Sequence, residues 1–335
     1  MEISVVMPTS RVDSVQATLR SIKNQDFADW ELLAVGQGNL DDPRRKWVKE
    51  IVEDFGKHDP RISYHHTAMI GCCAGRNAGI AAARSDIIAI IDDDCEARAD
   101  WLSTMVQIFK EEPTIDFVGG ALIAPPPERR WFAVCPENIP TETVYDPVAS
   151  NGVRPAGFDW AGGNFGIRRE LAELVGPFDE YMGPGSTFPA ADDTDFMFRL
   201  VKLGLKMAST PRLAVEHTYG YRYGILGFKK HQYNYAYGNG GLAGKLTLMG
   251  DPRGKDWLEF TRRESYSVDK LIRPHRFARS WWRWRVFKSA YEYCINNFIV
   301  RNDLLVPICK ELPLEYPLQT QSESLVELGI QTNVK

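Results

Sequence analysis

The apolar run Ile87–Ile91 leads directly into three aspartates, Asp92, Asp93 and Asp94, with no turn residue between them. Isoleucine is β-branched, and a run this rich in it predicts a strand buried on both faces of a sheet. In open α/β sheets, ligands bind beyond the carboxyl ends of the strands. Carboxylate oxygens at that place suit Mg²⁺ or Mn²⁺, so the triplet predicts a metal site. The alternative is a solvated turn or the acidic start of a helix.

Strands and helices alternate along the chain, which indicates an α/β fold with a doubly wound, mostly parallel sheet flanked by helices. The predicted strands are Ile3–Met7, Trp30–Val35, Arg61–His65, Ile87–Ile91 and Phe117–Ile123, followed by shorter ones at Trp160–Ile167, Lys206–Ala208 and Ala214–His217. The predicted helices include Val12–Asn24, Ala74–Arg84, Trp101–Phe109, Arg168–Val175 and Phe196–Leu203. A length of 335 residues suffices for about two domains.

Composition argues against several classes of protein. The formal net charge of −4 gives no basis for binding nucleic acid. The six cysteines lack the spacing of a metal site and do not amount to a disulfide framework, so we expect a reducing, cytoplasmic compartment. We expect no secretory signal, because the chain starts directly with a strand. No apolar run reaches the roughly 18 residues of a membrane-spanning helix.

Gly36 and Gly38 follow a predicted strand and precede a helix, a pattern found in dinucleotide-binding proteins. Asp41 stands where the third glycine of that pattern is needed for helix–sheet packing. The first strand, which should carry the pattern, ends in Pro8 and Thr9 instead. A nucleotide-dependent oxidoreductase is therefore an alternative with weak support.

Small residues surround Arg76 and Asn77 in the stretch Gly71–Gly79. Small side chains let the backbone approach a ligand closely. The guanidinium of Arg76 offers a planar fork of donors suited to a diphosphate, and the amide of Asn77 could bond a ribose. The alternative is that both residues simply open a surface helix.

A second acidic cluster, Asp192–Asp195, lies about a hundred residues after the first and precedes a predicted helix. Either Asp192 or Asp193 could serve only as an N-cap. Acidic clusters at the ends of two elements can also meet in one cleft, where one holds a metal and the other acts as a base. The irregular stretch 125–160 is typical of a functional segment, and we expect it on the acceptor side. A lone histidine such as His217 is more often structural than a ligand.

In their order along the chain, these stretches resemble the motifs of family 2 glycosyltransferases of the GT-A fold. The matching stretches are Val5–Thr9, Ala74–Gly79, Asp92–Asp94, Asn164–Arg169 with Val175–Glu180, Asp192–Asp195 and Val215–His217. The resemblance covers about residues 3–220. It implies a GT-A catalytic domain that moves a sugar from a nucleotide-sugar donor, most simply a UDP-sugar, to an acceptor hydroxyl with inversion.

The resemblance also implies roles for individual residues. Asp94, Asp92 and His217 would bind Mn²⁺ or Mg²⁺, which reverses the structural interpretation of His217. Asp193 would be the general base with Asp192 as its neighbour. The residues implied to bind the donor are Pro8, Thr9, Arg11, Gln37, Arg76, Asn77, Asp92 and Asp93. Those implied to bind the acceptor are Trp160, Gly163 and Asn164.

The sequence departs from the family pattern after its second strand, where an acidic residue usually reads the nucleotide base. Gln37 stands in this region, and its amide could still pair with a pyrimidine. Asp192 also replaces the commoner glutamate, which has the same chemistry with a longer reach.

We expect a catalytic domain over 1–220, with a nucleotide-sugar half at 1–124 and an acceptor half at 125–220. A helical extension, rich in aromatic and basic residues, would follow at 221–311, and a loose tail at 312–335. Basic and aromatic residues at helical spacing in 270–298 predict an interfacial membrane helix on the inner face of the membrane; packing on the catalytic domain is the alternative. The acceptor would be a glycan or a lipid-linked sugar, in polysaccharide, glycolipid or cell-surface glycan synthesis. A non-catalytic sugar- or membrane-binding protein of the same fold is a further alternative.

Overall fold

The computed structural model of the chain describes residues 1–128, 132–267 and 274–308. Its strands are, in chain order, β1 (Ile3–Thr9), β2 (Trp30–Gln37), β3 (Ile62–Thr67), β4 (Ile87–Ile91), β5 (Glu96–Ala97), β6 (Phe117–Ile123), β7 (Ala133–Val134), β8 (Thr143–Tyr145), β9 (Asn164–Arg168), β10 (Met207–Glu216), β11 (Arg222–Tyr223), β12 (Phe298–Arg301) and β13 (Leu304–Pro307). Its helices are α1 (Val15–Lys23), α2 (Pro43–His58), α3 (Cys72–Ala82), α4 (Trp101–Glu111), α5 (Arg169–Val175), α6 (Asp192–Lys202), α7 (Gly224–Leu248), α8 (Pro252–Ser265) and α9 (Pro274–Asn297).

The main sheet has the strand order β3-β2-β1-β4-β9-β6-β10-β5, and β8 also pairs with β10. Strands β3, β2, β1 and β4 are parallel neighbours, as are β6 and β10. Strand β9 lies antiparallel between β4 and β6. The prediction of an α/β fold with a mostly parallel, helix-flanked sheet is confirmed. The sheet is mixed because β9 in its centre, and β5 and β8 beside β10, pair antiparallel.

Hydrophobic residues fill both faces of this sheet, as the β-branched strand pattern predicts. Every residue of β4 is buried. One apolar cluster packs α1 and α4 against one face, and a second packs α5 and α6 against the other. Because β1, β2 and β4 are parallel, their carboxyl ends share one edge of the sheet, where Thr9, Gln37 and Asp92 stand.

Three boundaries differ from the predictions in ways that affect the site. Helix α6 begins at Asp192, not at Phe196, so the acidic cluster forms its first turn. Its N-cap is Ala191, so neither Asp192 nor Asp193 is the cap. The two strands predicted near 206 and 214 form the single strand β10, with an irregular register between Thr210 and Ala214.

The C-terminal helices pack through glycines of α7. A Cβ atom on Gly244 would lie 2.6 Å from Cβ of Cys294, so only glycine lets α7 and α9 approach this closely. The same closeness occurs between Gly238 of α7 and the backbone of Ala190, immediately before α6. The helical extension is therefore packed tightly against the segment that leads into the acidic turn.

The segment predicted to meet a membrane, 270–298, is described from residue 274 onward. In the second half of α9, Phe287 and Tyr291 are buried, and the Phe287 ring lies 5.6 Å from that of Trp257 in α8. This packing favours the alternative interpretation for that half of the helix. No helix among the described residues combines the length and the apolar character needed to cross a bilayer. The predicted tail, 312–335, lies outside the described residues.

Candidate active site

Asp93, just after β4, is hydrogen-bonded to the loop that follows β1. Its Oδ2 accepts hydrogen bonds from the backbone N–H of Ser10 at 2.6 Å and of Arg11 at 2.9 Å. Burial and the charge of Asp94 raise the pKa of Asp93 to about 6, although the two backbone donors act against that rise. The geometry gives Asp93 a structural task at the edge of the site, and its predicted contact with the donor stays a prediction.

Asp94 and His217 form a compact pair of candidate metal ligands. Nε2 of His217 lies 3.2 Å from Oδ2 of Asp94, and Nη1 of Arg11 lies 2.9 Å from the same oxygen. Burial alone would raise the pKa of Asp94, but the hydrogen bond from His217 and the charges of His217 and Arg11 hold it below its usual range. Burial would lower the pKa of His217, but Asp94 and Cys135 raise it to about 10.

The chemistry of this pair fits a divalent cation. Nδ1 of His217 lies 3.1 Å from the carbonyl oxygen of Pro136, which can accept the Nδ1 proton, so that Nε2 can bind a metal once its own proton is lost. The ligand atoms of Asp94, Cys95 and His217 all lie within 4.8 Å of one another. Burial raises the pKa of the Cys95 thiol, so the carboxylate and the imidazole are the better ligands.

Arg76 joins the two acidic clusters. Its Nη1 lies 2.5 Å from Oδ2 of Asp192, and its Nη2 lies 3.0 Å from Oδ1 of Asp92. The Arg76 side chain is only 2% exposed, and its guanidinium carbon lies 5.4 Å from the centre of the Phe178 ring. The structure thus brings the end of β4 and the start of α6 to the same place. Both terminal nitrogens of Arg76 already contact carboxylates, which favours a bridging role over free contact with a diphosphate.

Asp193 faces a cleft of about 540 Å³ that Trp160 and Tyr235 also line. Its Oδ1 accepts hydrogen bonds from the N–H and the hydroxyl of Thr194 at 2.7 and 3.2 Å. Burial raises the pKa of Asp193 to about 6, and the charge of Asp192 adds to that rise, while Thr194 and Arg76 oppose it. A carboxylate with such a pKa is suited to accept a proton near neutral pH.

The turn before this carboxylate has an unusual backbone. Ala191 has a φ of 70°, in the left-handed region that residues with a Cβ rarely adopt. The surrounding structure must hold that conformation, and such outliers concentrate at functional sites. It orients the first turn of α6 so that Asp192 contacts Arg76 and Asp193 reaches the cleft.

The residues predicted to bind the donor lie along the same sheet edge. A Cβ on Gly75 would come within 2.8 Å of both Pro8 and the Gln37 amide, so these two side chains meet α3. Oε1 of Gln37 accepts a hydrogen bond from Gly71 N–H at 3.0 Å. Thr9 is buried, and its hydroxyl has no partner among the described residues.

Asn77, predicted to bind the donor, and Gly36 and Gly38, which suggested a dinucleotide site, all make structural contacts. Oδ1 of Asn77 accepts a hydrogen bond from Phe178 N–H at 2.7 Å, and its Nδ2 donates to Phe178 O at 3.0 Å. These bonds favour a role in fixing the segment after α5. Gly36 packs directly beneath Tyr64, and Gly38 forms a turn with a φ of 78°.

Of the residues predicted to bind the acceptor, the structure brings two to the site. Trp160 lines the cleft, and a Cβ on Gly163 would lie 2.7 Å from Oδ2 of Asp92. Asn164 is fully buried: its Oδ1 accepts from Trp101 Nε1 at 2.9 Å, and its Nδ2 donates to two backbone carbonyls. These bonds place the Asn164 side chain in the core, away from any acceptor.

Sequence reasoning missed three contributors to the site. The carbonyl of Pro136 orients His217, and no side-chain pattern could have revealed a backbone group. Asn239 and Trp257, from α7 and α8, line the cleft beside Asp193. The aromatic content of these helices was the only available signal, and it is equally typical of a packed core.

Comparisons with known proteins identify the family of the chain. The family model described as "Glycosyl transferase family 2" matches residues 4–176. A glucosyl-dolichyl phosphate glucuronosyltransferase of Haloferax volcanii is 28% identical over 194 residues, covering 55% of this chain and 58% of the relative. A GalNAc(5)-diNAcBac-PP-undecaprenol beta-1,3-glucosyltransferase of Campylobacter jejuni is 31% identical over 109 residues, covering 32% and 34%. The chain therefore spans less than two thirds of the length of either relative.

Solved structures share the fold. The mannosyltransferase PcManGT of Pyrobaculum calidifontis, in complex with GDP-Man and Mn²⁺, superposes with a TM-score of 0.52 at 16% identity, over 88% of this chain and 85% of that one. TarS residues 1–349 of S. aureus superpose with a TM-score of 0.51 at 14% identity, over 94% and 99%. The fold is thus that of GT-A glycosyltransferases. Because the family model matches more than half of its residues, the chain belongs to glycosyl transferase family 2.

Proposed function

We propose that this glycosyltransferase is metal-dependent and inverting, and that it moves a hexosyl group from a nucleotide sugar to an acceptor hydroxyl. The observation that carries the proposal is the pair of ion pairs made by Arg76, which joins Asp92 on the metal side to Asp192 beside the candidate base. One pocket can then hold the leaving diphosphate and the attacking hydroxyl on neighbouring walls.

On the metal side, Asp94 and His217 would hold the cation, with Asp92 as a further carboxylate. The imidazole nitrogen in this set favours Mn²⁺ over Mg²⁺, which prefers oxygen ligands. The cation would supply Lewis-acid stabilisation of the leaving diphosphate. Pro136 holds the Nδ1 proton of His217, and Arg11 keeps Asp94 ionised. These contacts orient both ligands, and the proton that the raised pKa keeps on Nε2 of His217 must leave when the metal binds.

On the acceptor side, Asp193 would take the proton from the attacking hydroxyl. A positioned general base contributes about 10²–10⁴-fold to a rate. The pKa of Asp193 is raised to about 6. The carboxylate is therefore ionised at neutral pH and basic enough to accept the proton of the hydroxyl. Attack from the cleft, on the face of the sugar away from the diphosphate, gives a single displacement and inversion at the anomeric carbon.

The donor and acceptor are proposed from the site and from the relatives together. The amide of Gln37 lies at the carboxyl edge of the sheet. Its Oε1 accepts a hydrogen bond from Gly71 N–H, and its Nε2 could donate to a uracil carbonyl, so we propose a UDP-sugar. The Campylobacter jejuni relative is named for an undecaprenol-linked sugar, and the Haloferax volcanii relative for a dolichyl phosphate sugar. We therefore propose a lipid-linked or glycan acceptor, in polysaccharide, glycolipid or cell-surface glycan synthesis.

A ligand screen followed by one substitution tests the proposal. The unfolding temperature is measured with Mn²⁺ and each of a panel of nucleoside diphosphates. It should rise with one nucleotide, because a ligand stabilises the folded state that it binds. With the matching sugar nucleotide, Asp193→Asn should keep that rise and lose transfer by about 10²–10⁴-fold. Asp54→Asn, an exposed carboxylate of α2, is the matched control. Full transfer by Asp193→Asn would overturn the assignment of the base.

A further inference from the structure

The start of α7, seven residues after His217 in the chain, presents an exposed surface, the α7 patch. Its members are Phe132, Ile225, Leu226, Lys229 and Lys230. Leu226 is 68% exposed, Ile225 54% and Phe132 50%. Large apolar side chains that cluster at such exposure mark an interaction surface more often than isolated ones do.

The apolar members are held together by backbone pairing. Strands β7 and β11 pair antiparallel, with Tyr223 opposite Ala133. Continuing that register places Phe132 opposite Gly224, directly before Ile225. The Phe132 ring also lies 6.4 Å from the ring of Phe228, the fifth residue of α7. The fold thus gathers side chains that lie about ninety residues apart in the chain.

The two lysines add positive charge on the same side of the helix. Both are exposed, and each follows an apolar member by four residues, so it lies one turn further along the same helix face. Within the described residues, neither ammonium group forms an ion pair. Apolar side chains beside unpaired cations are the combination that binds the interface of an anionic bilayer, where the chains enter the headgroup region and the cations meet lipid phosphates.

The patch is connected to the candidate site by a short segment. Tyr219 N–H donates to the carbonyl of Asp94 at 3.3 Å, and Arg11 Nη1 donates to Tyr219 O at 3.3 Å. Only Gly220–Tyr223 separates that anchor from the helix. A surface bound through the α7 patch would therefore lie next to the pocket, where a lipid-linked substrate emerges from the bilayer.

We propose that the α7 patch binds the surface of an anionic lipid bilayer. This inference assigns the contact to a different surface from α9, whose aromatic residues Phe287 and Tyr291 are buried. It does not depend on the identity of the sugar or the base, because binding to lipid requires no transfer.

Co-sedimentation of the full chain with vesicles tests the proposal. The chain should bind vesicles of equimolar phosphatidylcholine and phosphatidylglycerol more tightly than vesicles of phosphatidylcholine alone. The double substitution of Ile225→Asp with Leu226→Asp should weaken binding to both, by at least about 10-fold on the anionic vesicles. Lys229→Glu with Lys230→Glu should weaken binding to the anionic vesicles by at least about 10-fold and leave the weak binding to phosphatidylcholine unchanged.

Two further variants make the outcome decisive. Leu174→Asp, at a residue of α5 that is 60% exposed, should bind vesicles as the unsubstituted chain does. The pair Arg276→Glu with Arg279→Glu, on exposed positions of α9, should retain most of the binding. The proposal is overturned if the unsubstituted chain ignores anionic vesicles, if both α7 variants bind normally, or if the α9 variant alone abolishes binding. Circular dichroism shows whether the aspartate variant folds. If it does not, the lysine variant alone tests the proposal.

Discussion

Oδ1 of Asp92 accepts a hydrogen bond from Nη2 of Arg76 at 3.0 Å, and this contact ties β4 to α3 inside the protein. Arg76→Met would leave Asp92 and Asp192 facing each other without their shared cation. Removing one partner of a buried ion pair typically costs about 3–5 kcal/mol. We therefore expect the free energy of unfolding, measured in urea, to fall by that amount.

The control for this change is Lys46→Met, which removes an exposed pair with Glu50 on α2. Exposed pairs contribute about 0–1 kcal/mol. Equal stability of the two variants would show that Arg76 does not bind the two acidic clusters together.

We expect His217→Ala to weaken Mn²⁺ binding by more than about 10-fold. Loss of a group that merely orients a ligand already costs about 10–100-fold, and here a ligand itself is removed. Isothermal titration with Mn²⁺ measures the change directly, and His58→Ala, on exposed helix α2, should bind as before. Unchanged affinity in His217→Ala would place the cation elsewhere.

The rate of transfer should rise with pH through the pKa of Asp193, with a midpoint near about 6. A base must lose its proton to act, so activity falls as pH drops below that value. Burial sets this pKa together with the charges of Asp192 and Arg76. Tyr235 and Asp159 are further titratable groups that line the same cleft. The midpoint is read from kcat against pH at saturating Mn²⁺ and donor. A flat profile between pH 5 and 8, roughly the range over which the group titrates, would contradict the assignment.

Lys245→Met should destabilise the protein by roughly 3–5 kcal/mol. The Lys245 side chain is buried, and Nζ lies 2.8 Å from Oδ2 of Asp179 and 2.5 Å from Oδ1 of Asp195. Its removal leaves the buried carboxylate of Asp179 without its cation, whereas Asp195 keeps Arg199, whose Nη2 lies 3.2 Å from Oδ2. Chemical denaturation measures the loss, and Lys202→Met, which breaks an exposed pair, should cost less than about 1 kcal/mol.

The pH dependence of that loss gives an independent check. Burial already raises the pKa of Asp179, and removing Lys245, whose charge opposes the rise, raises it further. A carboxyl whose pKa is higher in the folded state binds a proton more readily there than when unfolded. The variant should therefore regain stability as pH falls through the raised pKa, while a deficit independent of pH would point to a packing defect instead.

The fold and the general region of the site could be predicted because local patterns carry them. Ile87–Ile91 is hydrophobic enough to specify a buried strand, and the order of strands and helices specifies the sheet. The carboxyl edge of that sheet then locates Asp92–Asp94 without any long-range information.

The partners of individual side chains could not be predicted in the same way. Asn164 and Asn77 are polar residues in motif stretches, and nothing local distinguishes an amide that meets a ligand from one that satisfies buried backbone groups. The start of α6 was placed four residues late because Ala191 adopts a left-handed conformation that favours glycine, and tertiary contacts impose it.

The antiparallel strand β9 has a consequence for synthesis of the chain on the ribosome. Its neighbour β4 is complete about 75 residues before β9 is, a gap of roughly 4–15 s at about 5–20 residues per second. During that interval the nascent chain carries an exposed isoleucine-rich edge with unpaired peptide groups, the kind of edge that recruits other chains. The same centre of the sheet that positions the acidic triplet is thus completed late, when β9 pairs with β4 and β6.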